Sequence, residues 1–509
     1  MEDQLYVNHK IRWRLLWATA ICCLTTLQFG FHLSVFNAPQ QIISCQSHGR
    51  GDGYSDGMWA RWGMQQCIPM DKSGIATINT VFTVAGFLSS TLVGSHRVLN
   101  SVGRNTVQKA TAILYIFGCV SIAFANSLPV MNFGRFLAGV AAGSSMVVAP
   151  IFINEITPFN HRGLMGSLLQ FGVATGILLA QLIAFLWSND NDWRNLFIFG
   201  AGIGLLQLVL LFTTIESPKW LIMHNGEISH ASKLLNQLRS DEVAAQYEIL
   251  HWRRLSTNQP SPTSSVGLSE TSSLLESSPK DNLYPVSTAM SRRGSIDPST
   301  LSPISYITGS KYKKEWVAVV LIMSAQQLSG MNAITFYGVS VLSKIVPPDT
   351  NVLYLTSSLA FTNVIVSLAV SPLIDRWGRK LLLLASVTTM SLCSVIISTG
   401  LINQKDYMAA VGCFGFVIGF SIGLGQIPFL MISELSSQEA IGKAQALGTM
   451  SNWLSNVAIA YAFPYLKEIL GDAVFFLFTV TGIIFFVAMY IYVPETKGRE
   501  GYDEIWGLE

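Results

Sequence analysis

The sequence predicts an all-α membrane protein of twelve transmembrane helices, arranged as two pseudo-symmetric six-helix halves. Half of the 509 residues are hydrophobic and only 12% are charged, about half the charged share of a soluble domain. Twelve separate apolar stretches each approach the roughly 20 residues that a helix needs to cross a bilayer core. Short polar motifs recur in the two halves of the chain at nearly constant spacing.

In order, the stretches are 15–37, 73–95, 108–127, 131–154, 164–187, 195–215, 316–342, 352–374, 381–401, 408–433, 444–466 and 473–493. In lipid every backbone N–H and C=O must be bonded internally, so helices are the economical solution for all of them. Residues 1–14 are then a short N-terminus, 15–215 and 316–493 the two halves, 216–315 a connector and 494–509 a C-terminus. With both termini in the cytoplasm, 24 of the 32 Lys and Arg lie on that side, and 13 against 8 when the connector is left out. This is the sense the positive-inside rule requires. The opening "MEDQLYVNHKIRWRLL" leads into an apolar run too long for a cleaved leader and without a small-residue cleavage site. The first span is therefore expected to serve as its own targeting signal.

The repeats come next. "NSVGRN" at 100–105 follows span 2 and "DRWGRK" at 375–380 follows span 8, an offset of 275. Glu155 follows span 4 and Glu434 follows span 10, while "ESPK" at 216–219 and "ETKG" at 495–498 close the halves, both at an offset of 279. Three matches in register argue for an internal duplication. They also place Arg104, Glu155, Arg162, Glu216, Asp375, Arg376, Arg379 and Glu434 at cytoplasmic helix ends. Ion pairs there would hold the two halves together in one state and break in another, forming a cytoplasmic gate; the plainer reading is that these charges mark topology.

A net charge of +2 with scattered basic residues points away from nucleic acid. The seven cysteines lack metal-ligand spacing, and Cys22, Cys23, Cys119, Cys393 and Cys413 sit in apolar runs, where packing is expected. No metal, cofactor or enzymatic chemistry is expected. Cys45 and Cys67 share the outer loop 38–72, where an oxidising lumen would allow a disulfide. In the connector, 226–254 reads as an amphipathic helix with Leu234, Leu235, Leu238, Val243, Ile249 and Leu250 on its apolar side. Residues 255–310 turn rich in Ser, Pro and Thr, the composition of a disordered tether. Within it "ETSSLL" (Glu270, Leu274, Leu275) resembles an acidic dileucine sorting signal read by an adaptor, and directs the expectation to a vacuolar or lysosomal membrane in preference to the plasma membrane. "RRGS" places Ser295 in a basophilic kinase pattern.

Polar side chains inside spans are costly and face cavities or other helices. Here they are amides: Gln170 in span 5, Gln326, Gln327 and Asn332 in span 7, Asn363 in span 8, and Asn452 and Asn456 in span 11. An amide both donates and accepts, the chemistry that replaces water around a ligand covered in hydroxyls. Interhelical hydrogen bonding is the alternative use of the same groups. Phe29, Phe336, Phe429 and Trp453 are placed to supply flat apolar faces.

"QFGFHLSVFNAPQ", "GRFLAGVAAG", "EITPFNHRG", "ESPKWL", "QQLSGMNAITFYG", "DRWGRK" and "PETKGR" together resemble the sugar porter family of the major facilitator superfamily, over nearly all the chain outside the connector. Within it the chain resembles facilitative hexose carriers, and its His-containing first span and Ser-rich connector resemble fungal vacuolar members. The resemblance implies the major facilitator fold, alternating access and a central site for a hexose or related polyol. By motif position it implies sugar contacts at Gln170, Gln326, Gln327, Asn332, Asn363 and Asn456, with Trp453 flanking them. In span 10, Ser421, Leu424, Gln426 and Phe429 replace the family's acidic, Pro-rich and Trp-containing pattern, which leaves the sugar undetermined. "NSVGRN" lacks the second basic residue of the family's turn, and Ile441 stands at an expected Arg with Lys443 nearby.

His32 stands where proton-coupled relatives carry Asp and uniporters an amide. An imidazole titrates near neutrality and would carry a proton from an acidic lumen; buried without a partner it stays neutral and substitutes for the amide. The expected function is sugar transport, as uniport or coupled through His32. The alternative is a nontransporting sensor signalling through the connector.

Overall fold

The computed structural model describes residues 11–46, 57–94, 98, 101–158, 161–225, 227–257, 303–343, 352–437, 440–499 and 502–507. Glu270, Leu274, Leu275 and Ser295 lie outside these residues, as does the side chain of Asp375.

The first half consists of α1 (Trp13–Ser34), α2 (Lys72–Val93), α3 (Arg104–Ala123), α4 (Leu128–Ile156), α5 (Arg162–Trp187) and α6 (Trp193–Leu211). Two connector helices follow, α7 (Ile228–Leu238) and α8 (Glu242–Thr257). The second half holds α9 (Lys313–Leu328) and α10 (Met331–Leu342) as span 7, and α11 (Val352–Val370) and α12 (Arg379–Ile402) as spans 8 and 9. Span 10 is α13 (Asp406–Ile422) with α14 (Ile427–Leu435), and α15 (Ile441–Leu470) and α16 (Val474–Tyr492) close the bundle. Among the described residues, eleven helical stretches are long and apolar enough to cross a membrane; the last, Ile441–Tyr492, contains two helices joined by a single 3-10 turn.

The local chemistry explains the ends and breaks. Asp71 caps α2, its Oδ1 accepting from Gly74 N at 2.8 Å. Span 7 breaks because Gly330 takes φ 98°, a left-handed backbone. Span 10 breaks over Gly423–Gln426, which frees the Leu424 carbonyl, and Gln326 Nε2 satisfies it at 2.7 Å. Irregular backbone at membrane depth survives only where protein or a cavity meets its polar groups. The amphipathic stretch of the connector forms two helices instead of one. Asp241 Oδ1 accepts from Val243 N at 2.9 Å and starts the second, and Val243 and Leu250 end exposed. Arg239, between the helices, pairs with Glu248 at 2.7 Å and donates to the Ile156 carbonyl at the end of α4.

The largest buried apolar cluster lies mostly in the second half and runs across the interface to Phe29, Phe82, Met146 and Val173 of the first, and small residues bring helices close. A Cβ on Gly143 of α4 would lie 2.1 Å from the Gly86 carbonyl of α2, so only glycine allows this approach. Between the halves, α2 packs on α15 and α5 on α11. These are spans 2 with 11 and 5 with 8, contacts that a two-fold relating the halves exchanges. The loop after α1 is joined to the segment before α2 by a disulfide between Cys45 and Cys67, whose Cα atoms are 5.4 Å apart.

Candidate functional site

Where the halves meet, a cavity of about 600 Å³, counting the space at its mouth, opens at the level of the two helix breaks. The first half contributes Phe29, Leu33, Met146, Val173 and Ile177 to its wall, with Gln170 as the one polar side chain. The second half supplies Gln326, Gln327, Asn332, Thr335, Asn363, Asn452 and Asn456, together with Met331, Phe420, Phe429 and Trp453. The first-half wall is apolar but for one amide, the second-half wall mixes amides with apolar and aromatic side chains, and no lining residue carries a charge. This is the surface that a neutral, amphipathic, hydroxyl-bearing molecule complements.

The structure brings ten of the eleven amide and aromatic positions singled out by the sequence to this one cavity. Asn332 donates to Gln327 Oε1 at 2.5 Å and to Asn456 Oδ1 at 3.0 Å. Asn363 Oδ1 accepts from Ser421 at 2.8 Å and from Ser367 at 3.3 Å, which leaves its nitrogen for the cavity. Trp453 stands edge-on to Phe29, ring centres 5.8 Å apart, across the interface between the halves. Phe336, by contrast, is buried against Tyr337 and does not line the cavity. In span 10, Gln426 turns away and donates to the Ser367 carbonyl at 2.7 Å, while Phe429 reaches the wall.

The family resemblance did not include Asn452 among the sugar contacts, although it was one of the amides read from the spans, and Thr335 was left out altogether. Helical spacing could have found Thr335, one turn after Asn332. Sequence reasoning also left out Arg135, a fully buried cation within span 4.

His32 is off the cavity, packed inside the first half. Its ring stacks on Tyr115, centres 5.0 Å apart, its Nε2 lies 3.4 Å from Cys119 Sγ, and its Nδ1 is buried without a hydrogen-bond partner. Arg135 donates to the His32 carbonyl at 2.9 Å and to the Ile78 carbonyl at 3.3 Å, with its guanidinium 4.2 Å over the Phe82 ring.

At the cytoplasmic ends the repeated motifs build the same device twice. Arg104 makes a two-pronged pair with Glu155 at 2.9 and 3.0 Å, and Arg379 pairs with Glu434 at 2.9 Å. Glu216 accepts from the Asn105 and Ser217 backbone, and Glu495 from Arg379, Lys380, Thr496 and Lys497. Each of these contacts lies within one half, so the ion pairs Arg104–Glu155 and Arg379–Glu434 tie helices of the same half and do not join the two halves as the sequence suggested. Lys219 lies with Glu155, Arg162 and Arg104; burial lowers its pKa, Glu155 opposes this, and the two arginines add to it. Arg376 offers its carbonyl to Lys497. Across the halves, Ser167 Oγ meets Ser371 Oγ, and toward the outer face Thr356 donates to Gln181 Oε1 at 3.1 Å.

A family model described as "Sugar (and other) transporter" matches residues 18–506. The chain is 34% identical over 496 residues to a "Probable metabolite transport protein" of Saccharomyces cerevisiae, covering 97% of this chain and 95% of that one. It is 30% identical to "Vacuolar protein sorting-associated protein 73" of the same yeast, covering 96% and 95%. Its fold is similar to that of the proton:xylose symporter XylE of E. coli, solved bound to 6-bromo-6-deoxy-D-glucose, at a TM-score of 0.72 and 18% identity over 97% of this chain and 99% of that one. With its two six-helix halves closing on an uncharged amide-lined cavity, the chain is a multi-pass membrane protein of the sugar transporter family.

Proposed function

We propose that the protein carries a neutral hexose or a related monosaccharide or polyol across the membrane by alternating access around the central cavity. The observation that carries this is the uncharged lining of the cavity, in which six amides of the second half and Gln170 of the first are set among apolar and aromatic side chains. A sugar ring has the matching combination of hydroxyl edge and apolar face. The similarity to a symporter solved with a halogenated glucose supports the substrate class. The cytoplasmic charge clusters would act as the gate, each stabilising its half's inner end in one state.

Uniport is the favoured mode. The titratable side chains facing His32 are Arg135, Tyr115 and Cys119, and a proton on the imidazole would meet a guanidinium with no carboxylate bonded to either group among the described residues. Residence in a vacuolar membrane is supported by the Glu270, Leu274, Leu275 pattern and by the name of the second yeast relative. Uptake of labelled monosaccharides into sealed vesicles containing the purified protein tests the reading. Saturable, equilibrating uptake is expected. Binding without flux would establish the sensor instead, and protonophore-sensitive accumulation that His32→Asn abolishes would establish coupling.

A further inference from the structure

Asn452 lines the cavity, yet the hydrogen-bonding capacity seen for it is spent on protein. Its Nδ2 donates to the Met323 carbonyl at 3.0 Å and to Gln326 Oε1 at 2.7 Å, and its Oδ1 accepts from Gln327 Nε2 at 3.0 Å. Gln326 is committed in the same way, its Nε2 donating to the Leu424 carbonyl at 2.7 Å.

We propose that Asn452 is a positioning residue, which sets the direction of a chain of amides and so decides which atoms offer donors and which an acceptor to the ligand. The proposal rests on reading the cavity as a sugar site.

The argument is one of polarity. Backbone carbonyls only accept, so those of Leu424 and Met323 fix which end of Gln326 and of Asn452 is nitrogen. Neither amide can turn over without placing two oxygens face to face. The direction then propagates. With Asn452 Oδ1 accepting, Gln327 must present nitrogen to it and oxygen to Asn332. The two Nδ2 hydrogens of Asn332 go to Gln327 and Asn456, the latter accepting through Oδ1 at 3.0 Å. What remains for the cavity is the Asn332 oxygen as acceptor, with the Asn456 nitrogen and the second Gln327 hydrogen as donors. Without Asn452, Gln327 loses the only protein bond on its nitrogen among the described residues, and Gln327, Asn332 and Asn456 can reverse together. A hydroxyl pattern fitted to one direction then meets both.

The test uses the full-length protein in detergent, with direct binding of D-glucose, D-mannose, D-galactose, D-fructose, D-xylose and myo-inositol, the tightest binder being carried forward. Asn452→Asp keeps the shape but, when ionised, only accepts, so it opposes its oxygens to Gln326 Oε1 and the Met323 carbonyl. At about pH 8 binding should weaken about tenfold, the scale of one buried hydrogen bond lost. Burial raises a carboxyl pKa, and at about pH 5 the protonated form donates again, so affinity should return to within about threefold of wild type. Gln327→Glu, whose single acid hydrogen can serve Asn452 but not the ligand as well, should recover part of its loss in acid and serves if the first variant does not fold. Asn452→Ala should stay weak at both values, and wild type should change by less than about twofold. Wild-type affinity of Asn452→Asp at the higher pH, or a loss that acid does not relieve in either acidic variant, overturns the proposal. A wild-type protein that binds none of the six compounds overturns the sugar reading itself, and this proposal with it.

Discussion

At the scale of single residues, a polar side chain in this bundle is worth what its neighbours leave unsatisfied. Asn332 donates twice to protein and keeps its oxygen for the cavity. Asn332→Ala should therefore weaken sugar binding by about 1 kcal/mol or more, because it removes the free acceptor and unties Gln327 from Asn456. Membrane abundance should be unchanged, and equal affinity in a binding titration would move this amide to a purely structural role. Glu495 shows the same logic outside the membrane. Burial pushes its pKa up, but four backbone N–H groups, from Lys497, Arg379, Lys380 and Thr496, together outweigh burial and hold it below the ordinary carboxylate range. A carboxylate depressed by folding stabilises the protein above its unfolded pKa, about 4.3 for Glu, and the contribution is lost as pH falls through the folded value. Glu495→Gln should lower the melting temperature near neutrality, and the gap to wild type should close as the pH is taken below about 4. A gap that persists unchanged in acid would contradict the assignment.

At the scale of elements, the functional helices are the broken ones. Spans 7 and 10 both interrupt at the depth of the cavity, and the Gln326 amide that lines it also satisfies the carbonyl freed in span 10. Gly330 makes the first break: at φ 98° a side chain is strained, and a Cβ there would lie 2.6 Å from the Phe478 ring. Gly330→Ala should destabilise the protein by about 1–3 kcal/mol from backbone strain and overpacking together. Phe478→Ala in the same chain should not restore stability, since it relieves the clash and leaves the φ. Melting curves of the purified variants in detergent measure this, and wild-type stability of Gly330→Ala would show that the break does not need a glycine.

At the scale of the whole molecule, alternating access requires contacts between the halves to form and part in each cycle. On the cytoplasmic side Ser167 of α5 touches Ser371 just beyond α11. Ser167→Cys with Ser371→Cys should form a disulfide on mild oxidation and stop sugar flux, with reduction restoring it. Flux that continues through the oxidised protein would exclude separation of the halves at this point. The paired ions Arg104–Glu155 and Arg379–Glu434 each lie within one half, so they stiffen the bodies that move, and the single contact between serines is the place to arrest the motion.

The number of spans, the duplication and ten of the cavity-lining positions were legible in the amino-acid sequence, because burial in lipid forces apolar composition on every helix and makes each polar exception conspicuous. The repeat of Gly-Arg and Glu motifs was legible for the same reason. Only the tertiary structure decided how those exceptions are used. That Asn452 belongs with Gln326 and Gln327 depends on α15 packing against α9, residues 125 or more positions apart. That His32 faces Arg135 and Tyr115 away from the cavity depends on the rotation of α1 against α3 and α4. Hydropathy constrains where a helix lies in the bilayer, whereas its rotation and partners are set by the fit of side chains between helices, and that fit is a property of the assembled bundle.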